Sequence, residues 1–208
     1  NEVINVAPGT YSESVIIKKP LTLAGDGPRD QIIIQSNSPT CINIESGKCV
    51  IKGLTLSNEK HKSEDDKHFT VNVNNAEVFI EDCNITGASL ACIGVQGSSA
   101  NATIKNCVIH DSAEQSGIYF DEESRGTADG CKIHNNASHG ISVKQSHVTV
   151  QNSTIESNDS GIYIIGSEVN VINCKIRQNT WEAFTAKENS SCNISESDLT
   201  YNGGEGAF

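Results

Sequence analysis

The chain of 208 residues is poor in several residue types, and each shortage narrows what it can be. It contains no Met, one Trp and four Pro, and aromatic residues make up only 5% of it. Lys and Arg number 15 against 26 Asp and Glu, which gives a net charge of −11. Because binding to a phosphate backbone requires clustered basic residues, this balance predicts that nucleic acid is not a partner.

Long apolar runs and helical patterns are also missing. No run of about 18 apolar residues occurs, so the sequence predicts no membrane-spanning helix and no membrane partner. No segment spaces its apolar residues helically over the length that a helix requires. The chain has instead short alternating segments punctuated by Gly, Asn and Ser, a pattern typical of strands joined by turns.

These alternating segments repeat along the chain, and their equivalent positions form columns. One column, with intervals of 24, 24, 22, 21 and 23 residues by subtraction, consists of Cys83, Cys107, Cys131, Ser153, Cys174 and Ser197. A second consists of Ile85, Ile109, Ile133, Ile155, Ile176 and Leu199. A third consists of Asn136, Asn158, Asn179 and Asn202. A fixed period of this size indicates a solenoid, in which each repeat buries its apolar face against its neighbours.

The repeat predicts an all-β parallel solenoid of about eight coils of roughly 21–25 residues. Stacked strands lie ~4.8 Å apart, so each column becomes a ladder of touching side chains. We predict a single domain over residues 1–208, with the first coil at 1–35. The charged stretch 58–68 is predicted to be a loop inserted between coils, and 206–208 to begin a further coil that is cut short, as in a fragment of a longer protein.

Three of the columns have expected structural roles. The Asn column is expected at a sharp turn, because Asn tolerates left-handed backbone and its amide both donates and accepts hydrogen bonds. A Gly column, formed by Gly117, Gly140 and Gly161, marks a corner that needs a small residue. The eight cysteines are interpreted as buried, unpaired thiols, with disulfides or metal binding as the alternatives. Unpaired thiols favour a reducing compartment, which predicts an intracellular location, cytoplasmic or nuclear.

The opening segment Ile4–Gly25 and repeats such as Cys131-Lys-Ile-His-Asn-Asn-Ala-Ser-His-Gly-Ile141 resemble the right-handed parallel β-helix repeat family. The resemblance implies a right-handed single-stranded parallel β-helix. The repeats are most similar to the β-helix of F-box-only ubiquitin-ligase receptors and of Shc SH2-domain-binding proteins. That similarity implies a non-catalytic protein-recognition scaffold without a cofactor, in a larger intracellular protein that acts as a substrate receptor or as an adaptor in signalling or cell division.

Enzymes of this fold act on acidic polysaccharides, and a glycosidase needs two carboxyl groups across the scissile bond. The candidate carboxylates, none of which falls into a stacked pair with a partnered Arg, are Asp82, Asp111, Asp121, Glu122, Glu123 and Asp129. Ser138-His139-Gly140 only partly matches the Gly-His-Gly motif of polygalacturonases. The sequence therefore predicts no catalytic residues and no enzyme. The alternative is a carbohydrate-binding or polysaccharide-degrading module of the pectin-enzyme type.

Candidate binding residues are those that interrupt the repeat. Asp121, Glu122 and Glu123 are expected in a solvated acidic turn, and contact with a basic protein partner is the alternative. His110 and His134 are expected to stack about 5 Å apart on consecutive coils, and a metal site there would need Asp111 as a third ligand. Trp181 is expected to cover the end of a coil or to form a sugar platform with Tyr119 and Tyr163.

Overall fold

The computed structural model describes residues 2–58 and 68–204 as a parallel β-solenoid. Successive coils contribute strands to three sheets, which we call A, B and C in the order in which the chain visits them. Every strand pairs in parallel with the equivalent strand of a neighbouring coil. This arrangement confirms the predicted all-β parallel solenoid of about eight coils.

The strands of the described residues are distributed over the three sheets as follows. Sheet A comprises β1 (Glu2–Val6), β4 (Leu21–Gly25), β7 (Lys48–Lys52), β10 (Glu77–Glu81), β13 (Asn101–Lys105), β16 (Arg125–Asp129), β19 (His147–Gln151), β22 (Glu168–Ile172) and β25 (Ser191–Ser195). Sheet B comprises β2 (Gly9–Ser12), β5 (Ile32–Ser36), β8 (Thr55–Asn58), β11 (Asn84–Gly87), β14 (Val108–His110), β17 (Lys132–His134), β20 (Thr154–Glu156) and β23 (Lys175–Arg177). Sheet C comprises β3 (Val15–Ile17), β6 (Thr40–Ile44), β9 (Phe69–Asn74), β12 (Ala91–Gln96), β15 (Ser116–Asp121), β18 (His139–Lys144), β21 (Ser160–Ile165) and β24 (Phe184–Lys187). A single 3₁₀ turn in these ranges spans Arg29–Gln31.

The core is a column of stacked side chains inside the coils. On sheet B, the inward positions are completely buried at Leu56, Ile85, Ile109, Ile133, Ile155 and Ile176. Burying one such side chain stabilises the fold by about 1.5–3 kcal/mol. The core also matches large residues with small ones: a Cβ atom on Gly126 would lie 2.4 Å from the buried ring of Phe120. The stability of each coil therefore depends on its immediate neighbours.

The cysteines serve as part of this core. All eight are unpaired, and seven are buried, with only Cys192 partly exposed. The Cys107 thiol donates a hydrogen bond to the Lys105 carbonyl oxygen at 3.2 Å. Burial raises the pKa of the Cys131 thiol to about 12, so this group stays protonated at neutral pH. The prediction of buried, unpaired thiols is confirmed, whereas the cellular location stays a prediction.

Gly is required in the Gly column because no room exists there for a Cβ atom, and not because the backbone adopts a positive φ. A Cβ atom on Gly117 would lie 2.8 Å from both the amide nitrogen of Asn136 and the carbonyl oxygen of Gly140. A Cβ atom on Gly161 would lie 2.2 Å from the carbonyl oxygen of Ala183. The predicted small-residue corner is confirmed.

The Asn column is a buried ladder of amides. The Oδ1 atom of Asn158 accepts hydrogen bonds from the backbone N–H and the side-chain amide of Asn136, at 3.0 and 2.9 Å. Its own amide nitrogen donates to Asn179 Oδ1 at 3.2 Å and to the Ile133 carbonyl oxygen at 3.3 Å. The expectation of left-handed backbone at these positions is wrong. The left-handed residues precede the ladder at Asn135, Ser157, Gln178 and Tyr201, with φ of 56, 57, 56 and 60°.

Parts of the predicted domain division lie outside the described residues. Of the charged stretch 58–68, only the two end residues are described, and both Asn58 and His68 are buried. The Asn58 amide donates to the carbonyl oxygens of Ser38 and Phe69, at 3.1 and 3.3 Å. Residues 206–208 also fall outside the described ranges, so the inserted loop and the further coil stay predictions. No helix within 2–58 and 68–204 has the length and hydrophobicity needed to span a membrane.

Replacing Asn158 with Ala should destabilise the solenoid by about 2–3 kcal/mol, because a buried backbone N–H and two amide partners lose their hydrogen bonds. The measurement is the free energy of unfolding from urea titration. Asn170→Ala, on the outer side of sheet A, is the matched control and should change stability by less than about 0.5 kcal/mol. Equal effects of the two substitutions would contradict the ladder's structural role.

Candidate functional site

The outer face of sheet C brings together aromatic, hydroxyl and charged side chains in two adjacent rows. The first row, aligned by strand pairing, consists of Ile16, Asn43, Asn72, Gly94, Tyr119, Ser142, Tyr163 and Thr185. The second row, two residues further along each strand, includes Asn74, Gln96, Asp121, Lys144, Ile165 and Lys187. Since the rows run along the solenoid axis, they form a linear strip. We refer to its part from β15 to β24 as the sheet C strip.

Asp121 is the most constrained side chain of the sheet C strip. Its Oδ2 atom accepts a hydrogen bond from the Tyr119 hydroxyl, and its Oδ1 atom accepts one from the Glu122 backbone N–H at 2.8 Å. The Lys144 ammonium lies 3.8 Å from Oδ2. Burial, and then the hydrogen bond to Asp121, raise the pKa of the Tyr119 phenol, so Tyr119 remains a donor. Asp121 thus orients both Tyr119 and Lys144.

The expectation of a uniformly solvated acidic turn is therefore wrong for Asp121. This residue is only 9% exposed, because it ends strand β15 and points over the outer face of sheet C. Glu122 and Glu123 do form an exposed turn, with left-handed φ of 58 and 62°. Whether these two contact a basic partner stays a prediction.

Tyr163 is held between two neighbours. The ring of His139, from the previous coil, stacks on it with a centroid distance of 4.6 Å. The Lys187 ammonium, from the next coil, lies 5.4 Å from the centre of the Tyr163 ring. The Lys187 side chain is exposed. The three residues make a cationic, hydrogen-bonding subsite at one end of the sheet C strip.

The predicted platform of Tyr119, Tyr163 and Trp181 is only partly assembled. Tyr119 and Tyr163 share a row and are two coils apart, roughly 10 Å, with Ser142 between them. Trp181 lies in the turn before β24, where its backbone N–H donates to the Asp159 carbonyl oxygen at 2.7 Å. Its side chain is 54% exposed, so it flanks the strip at the edge of sheet C.

The histidine pair lies on a different sheet. The rings of His110 and His134 stack on the outer face of sheet B, 5.1 Å apart and 2° from parallel, which confirms the predicted stacking. His110 bonds to Asp111 through Nδ1 at 2.7 Å and to Asn84 through Nε2 at 3.0 Å. Within the described ranges, no three His, Cys, Asp or Glu side chains are grouped so as to hold a metal ion. The pair is therefore not part of the sheet C strip, and its role in partner binding stays a prediction.

The other candidate carboxylates are also dispersed. Asp82 pairs with Arg29 at 2.7 Å, and Asp129 accepts a hydrogen bond from Asn152 at 2.7 Å. Both lie where the chain passes from sheet A to sheet B, whereas Asp111 follows sheet B. Of the six candidates, Asp121 alone lies on a strand of sheet C.

The subsite around His139 was not recognised from the sequence. His139 precedes Gly140 of the Gly column and stacks on Tyr163 of the next coil, and Lys187 of the coil after that lies over the Tyr163 ring. The two rows of the sheet C strip could have been found from the sequence. Tyr119 and Asp121, like Ser142 and Lys144, are two residues apart on one strand and therefore share a face. The lateral stacking of His139 on Tyr163 has no such signal, because the two side chains meet diagonally across coils.

Comparisons with known proteins are in keeping with this geometry. A sequence model described as "right handed beta helix region" matches residues 31–199. Among solved structures, a pectate lyase is similar over 97% of this chain and 70% of its own, with a TM-score of 0.69 and 12% identity. Carrot pectin methylesterase is similar over 99% and 78% (TM-score 0.56, 12% identity). The A-module of a mannuronan C-5 epimerase from Azotobacter vinelandii is similar over 99% and 90% (TM-score 0.51, 13% identity).

The comparison with curated protein sequences found no significant match. At 12–13% identity, the structural likenesses show the fold alone. They nevertheless overturn the prediction that the chain is not an enzyme, because the solved β-helices that resemble it over nearly its whole length include polysaccharide-acting enzymes. The right-handed β-helix is confirmed. The finer resemblance to F-box-only receptors and Shc-binding proteins finds no support among these matches.

His134 should titrate below about pH 6.5, the ordinary value for His. Partial burial lowers the pKa of His134 most, and the electrostatic effects of His110 and Lys132 lower it further, whereas the carboxylates of Asp111 and Glu156 raise it. Neutral His134 therefore contributes stability above about pH 6.5 that is lost as the pH falls through its lower folded-state pKa. NMR titration measures the midpoint, which should rise in His110→Gln. The control His147→Gln, on sheet A, should leave it unchanged, and a midpoint unaffected by His110→Gln would contradict the electrostatic coupling.

Proposed function

This chain belongs to the right-handed β-helix family, and we propose that it binds polysaccharide chains along the sheet C strip. The observation that carries the proposal is the alignment of Tyr119, Ser142 and Tyr163 beside Asp121, Lys144 and Lys187. A linear polymer that lies along the solenoid axis meets an aromatic residue and a cation at every second coil. Ring C–H groups, hydroxyls and carboxylates of a sugar chain each find a matching partner there.

The rigidity of the strip favours binding. Strands β15, β18 and β21 are paired on both sides, and β24 pairs with β21 at the edge of the described sheet, so little conformational entropy is lost when a ligand binds. Asp121 holds Tyr119 and Lys144 in place, while His139 holds Tyr163. The strip is thus preorganised for a ligand of regular spacing.

An anionic polysaccharide fits the local charges better than a neutral one. Lys187 is exposed beside Tyr163 and can pair with a sugar carboxylate, while Lys144 is already 3.8 Å from Asp121. The net charge of −11 repels a polyanion at long range. At physiological ionic strength, charges more than about 8 Å apart are screened, so the contacts within the strip decide whether a polyanion binds. The structural similarity to proteins described as a pectate lyase and a pectin methylesterase supports the same class of ligand.

The competing hypothesis is the protein-recognition scaffold of the F-box-only or Shc-binding type, in an intracellular protein. Its candidate contacts lie on turns, on sheet B and on sheet C, and they are Asp121, Glu122, Glu123, Trp181, His110 and His134. The stacked pair of His110 and His134 lies on sheet B, apart from the acidic turn after β15 and from Trp181 before β24. We therefore favour the polysaccharide site, where the side chains converge.

Calorimetric titration with polygalacturonate oligosaccharides should detect binding that Tyr163→Ala and Lys187→Ala each weaken by about tenfold, or 1.4 kcal/mol. Matched controls are Phe79→Ala on the outer face of sheet A and Lys175→Ala on the outer face of sheet B, which should leave the affinity unchanged. Equal weakening by the control variants, or no binding to any polysaccharide of an acidic and neutral panel, would overturn the proposal.

Turnover is measured on the same panel by release of reducing ends, of methanol and of unsaturated sugars. Product formation that depends on residues of the sheet C strip would extend the proposal from binding to catalysis. Product formation that persists in Tyr163→Ala and Lys187→Ala would place the site on another face of the solenoid.

A further inference from the structure

A hydrogen-bonded serine and histidine lie at the corner where the chain enters sheet C. The Ser138 Oγ atom is 3.0 Å from Nδ1 of His139, and both residues are half-buried. The Ser138 backbone N–H donates to the Gln115 carbonyl oxygen at 2.8 Å, and its carbonyl oxygen accepts from the Ser160 N–H at 3.0 Å. The pair is therefore anchored to the coils on both sides.

The imidazole of His139 is also held in orientation. It stacks on the ring of Tyr163 at 4.6 Å, so the plane that contains its two nitrogens is restricted. Its Nδ1 atom faces the serine hydroxyl, which donates to Nδ1 when the ring carries its proton on Nε2. Geometry of this kind, a hydroxyl within hydrogen-bond reach of an oriented base, is what activates a serine nucleophile.

The surroundings favour the neutral form of His139. Burial lowers its pKa most, and the Lys187 ammonium lowers it further, while the carboxylates of Asp159 and Glu182 act in the opposite direction. The pKa of His139 accordingly lies below its ordinary value, so the lone pair on Nδ1 is available at neutral pH. The two carboxylates would stabilise the imidazolium that forms when His139 accepts a proton.

We propose that Ser138 and His139 are a nucleophile and general base that hydrolyse carboxylic esters carried by a polysaccharide on the sheet C strip. The choice of substrate rests on the proposed function, because His139 contacts Tyr163 at the end of that strip. An ester group on a bound sugar chain, either an O-acyl group or the methyl ester of a uronate, would project toward the corner that carries Ser138.

The reaction would proceed in two balanced steps. The Ser138 Oγ atom attacks the ester carbonyl carbon while His139 Nδ1 takes its proton, and the carbon–oxygen bond to the alcohol breaks as His139 returns that proton to the departing oxygen. Water, deprotonated by His139, then attacks the acyl-serine. This step releases the carboxylic acid and restores the serine hydroxyl, with no oxidant or reductant needed.

Labelling with a fluorophosphonate probe tests the activated serine independently of any polysaccharide. Ser138 displaces fluoride from the probe, and peptide mass spectrometry should find the adduct on Ser138 alone. Ser138→Ala should abolish labelling, and H139Q should slow it by about 100-fold. Ser195→Ala, an exposed serine on sheet A and away from the sheet C strip, is the control and should label normally. Absence of a Ser138 adduct, or equal labelling rates in H139Q and the unchanged protein, would overturn the proposal.

Release of acetate from an O-acetylated polysaccharide and of methanol from methyl-esterified pectin identifies which ester is cleaved. Loss of release in Ser138→Ala, with oligosaccharide binding retained, supports the proposal. Release that is unaffected by Ser138→Ala contradicts it even if binding to the sheet C strip is confirmed. Conversely, a Ser138 adduct without polysaccharide binding would refute the proposed function while the activated serine remains. The rate should fall as the pH drops through the lowered pKa of His139 and should level off at neutral pH.

Discussion

The parallel pairing of each strand with its equivalent one coil away is the constraint on which the rest of the molecule depends. Because this pairing repeats at ~4.8 Å, any residue type that recurs at one position becomes a continuous ladder. The side chains of a ladder must then pack against, or form hydrogen bonds with, the equivalent side chains of the neighbouring coils. Stacked isoleucines do so by contact, and stacked asparagines by bonding amide to amide, as between Asn136, Asn158 and Asn179.

The same constraint decides where function can lie. Inside the coils, side chains are fixed by their neighbours on both sides, so the variable positions are on the outer faces and in the turns. On sheets A and B, several outer positions form ion pairs between coils, such as Glu156 between Lys132 and Arg177. Burial raises the pKa of Glu156, but the hydrogen bonds and charges of Lys132 and Arg177 together outweigh it and hold that pKa below its ordinary value. On sheet C, Lys187 is exposed, and Tyr119 and Tyr163 are only partly buried.

The polysaccharide site and the serine–histidine pair depend on one residue in common. Tyr163 stands in the strip and also orients His139, so it links ligand binding to the corner that carries Ser138. Asp121 has a comparable role at the other end, since it accepts the Tyr119 hydroxyl and lies near Lys144. Both ends of the strip are thus supported by contacts between neighbouring coils.

The sequence by itself determined the fold, because a column of Ile or Cys at a fixed period has only one way to become buried, by stacking in register. It also determined the His110 and His134 stack, which follows from strand register alone. Only the tertiary structure decided the left-handed positions, the burial of Asp121 and the meeting of His139 with Tyr163. These depend on how side chains lean diagonally between coils and on where each strand ends. The repeat period predicts neither the side-chain orientations nor the strand ends. Strand pairing specifies which residues are neighbours, but not the rotamer that brings a polar side chain to its hydrogen-bond partner.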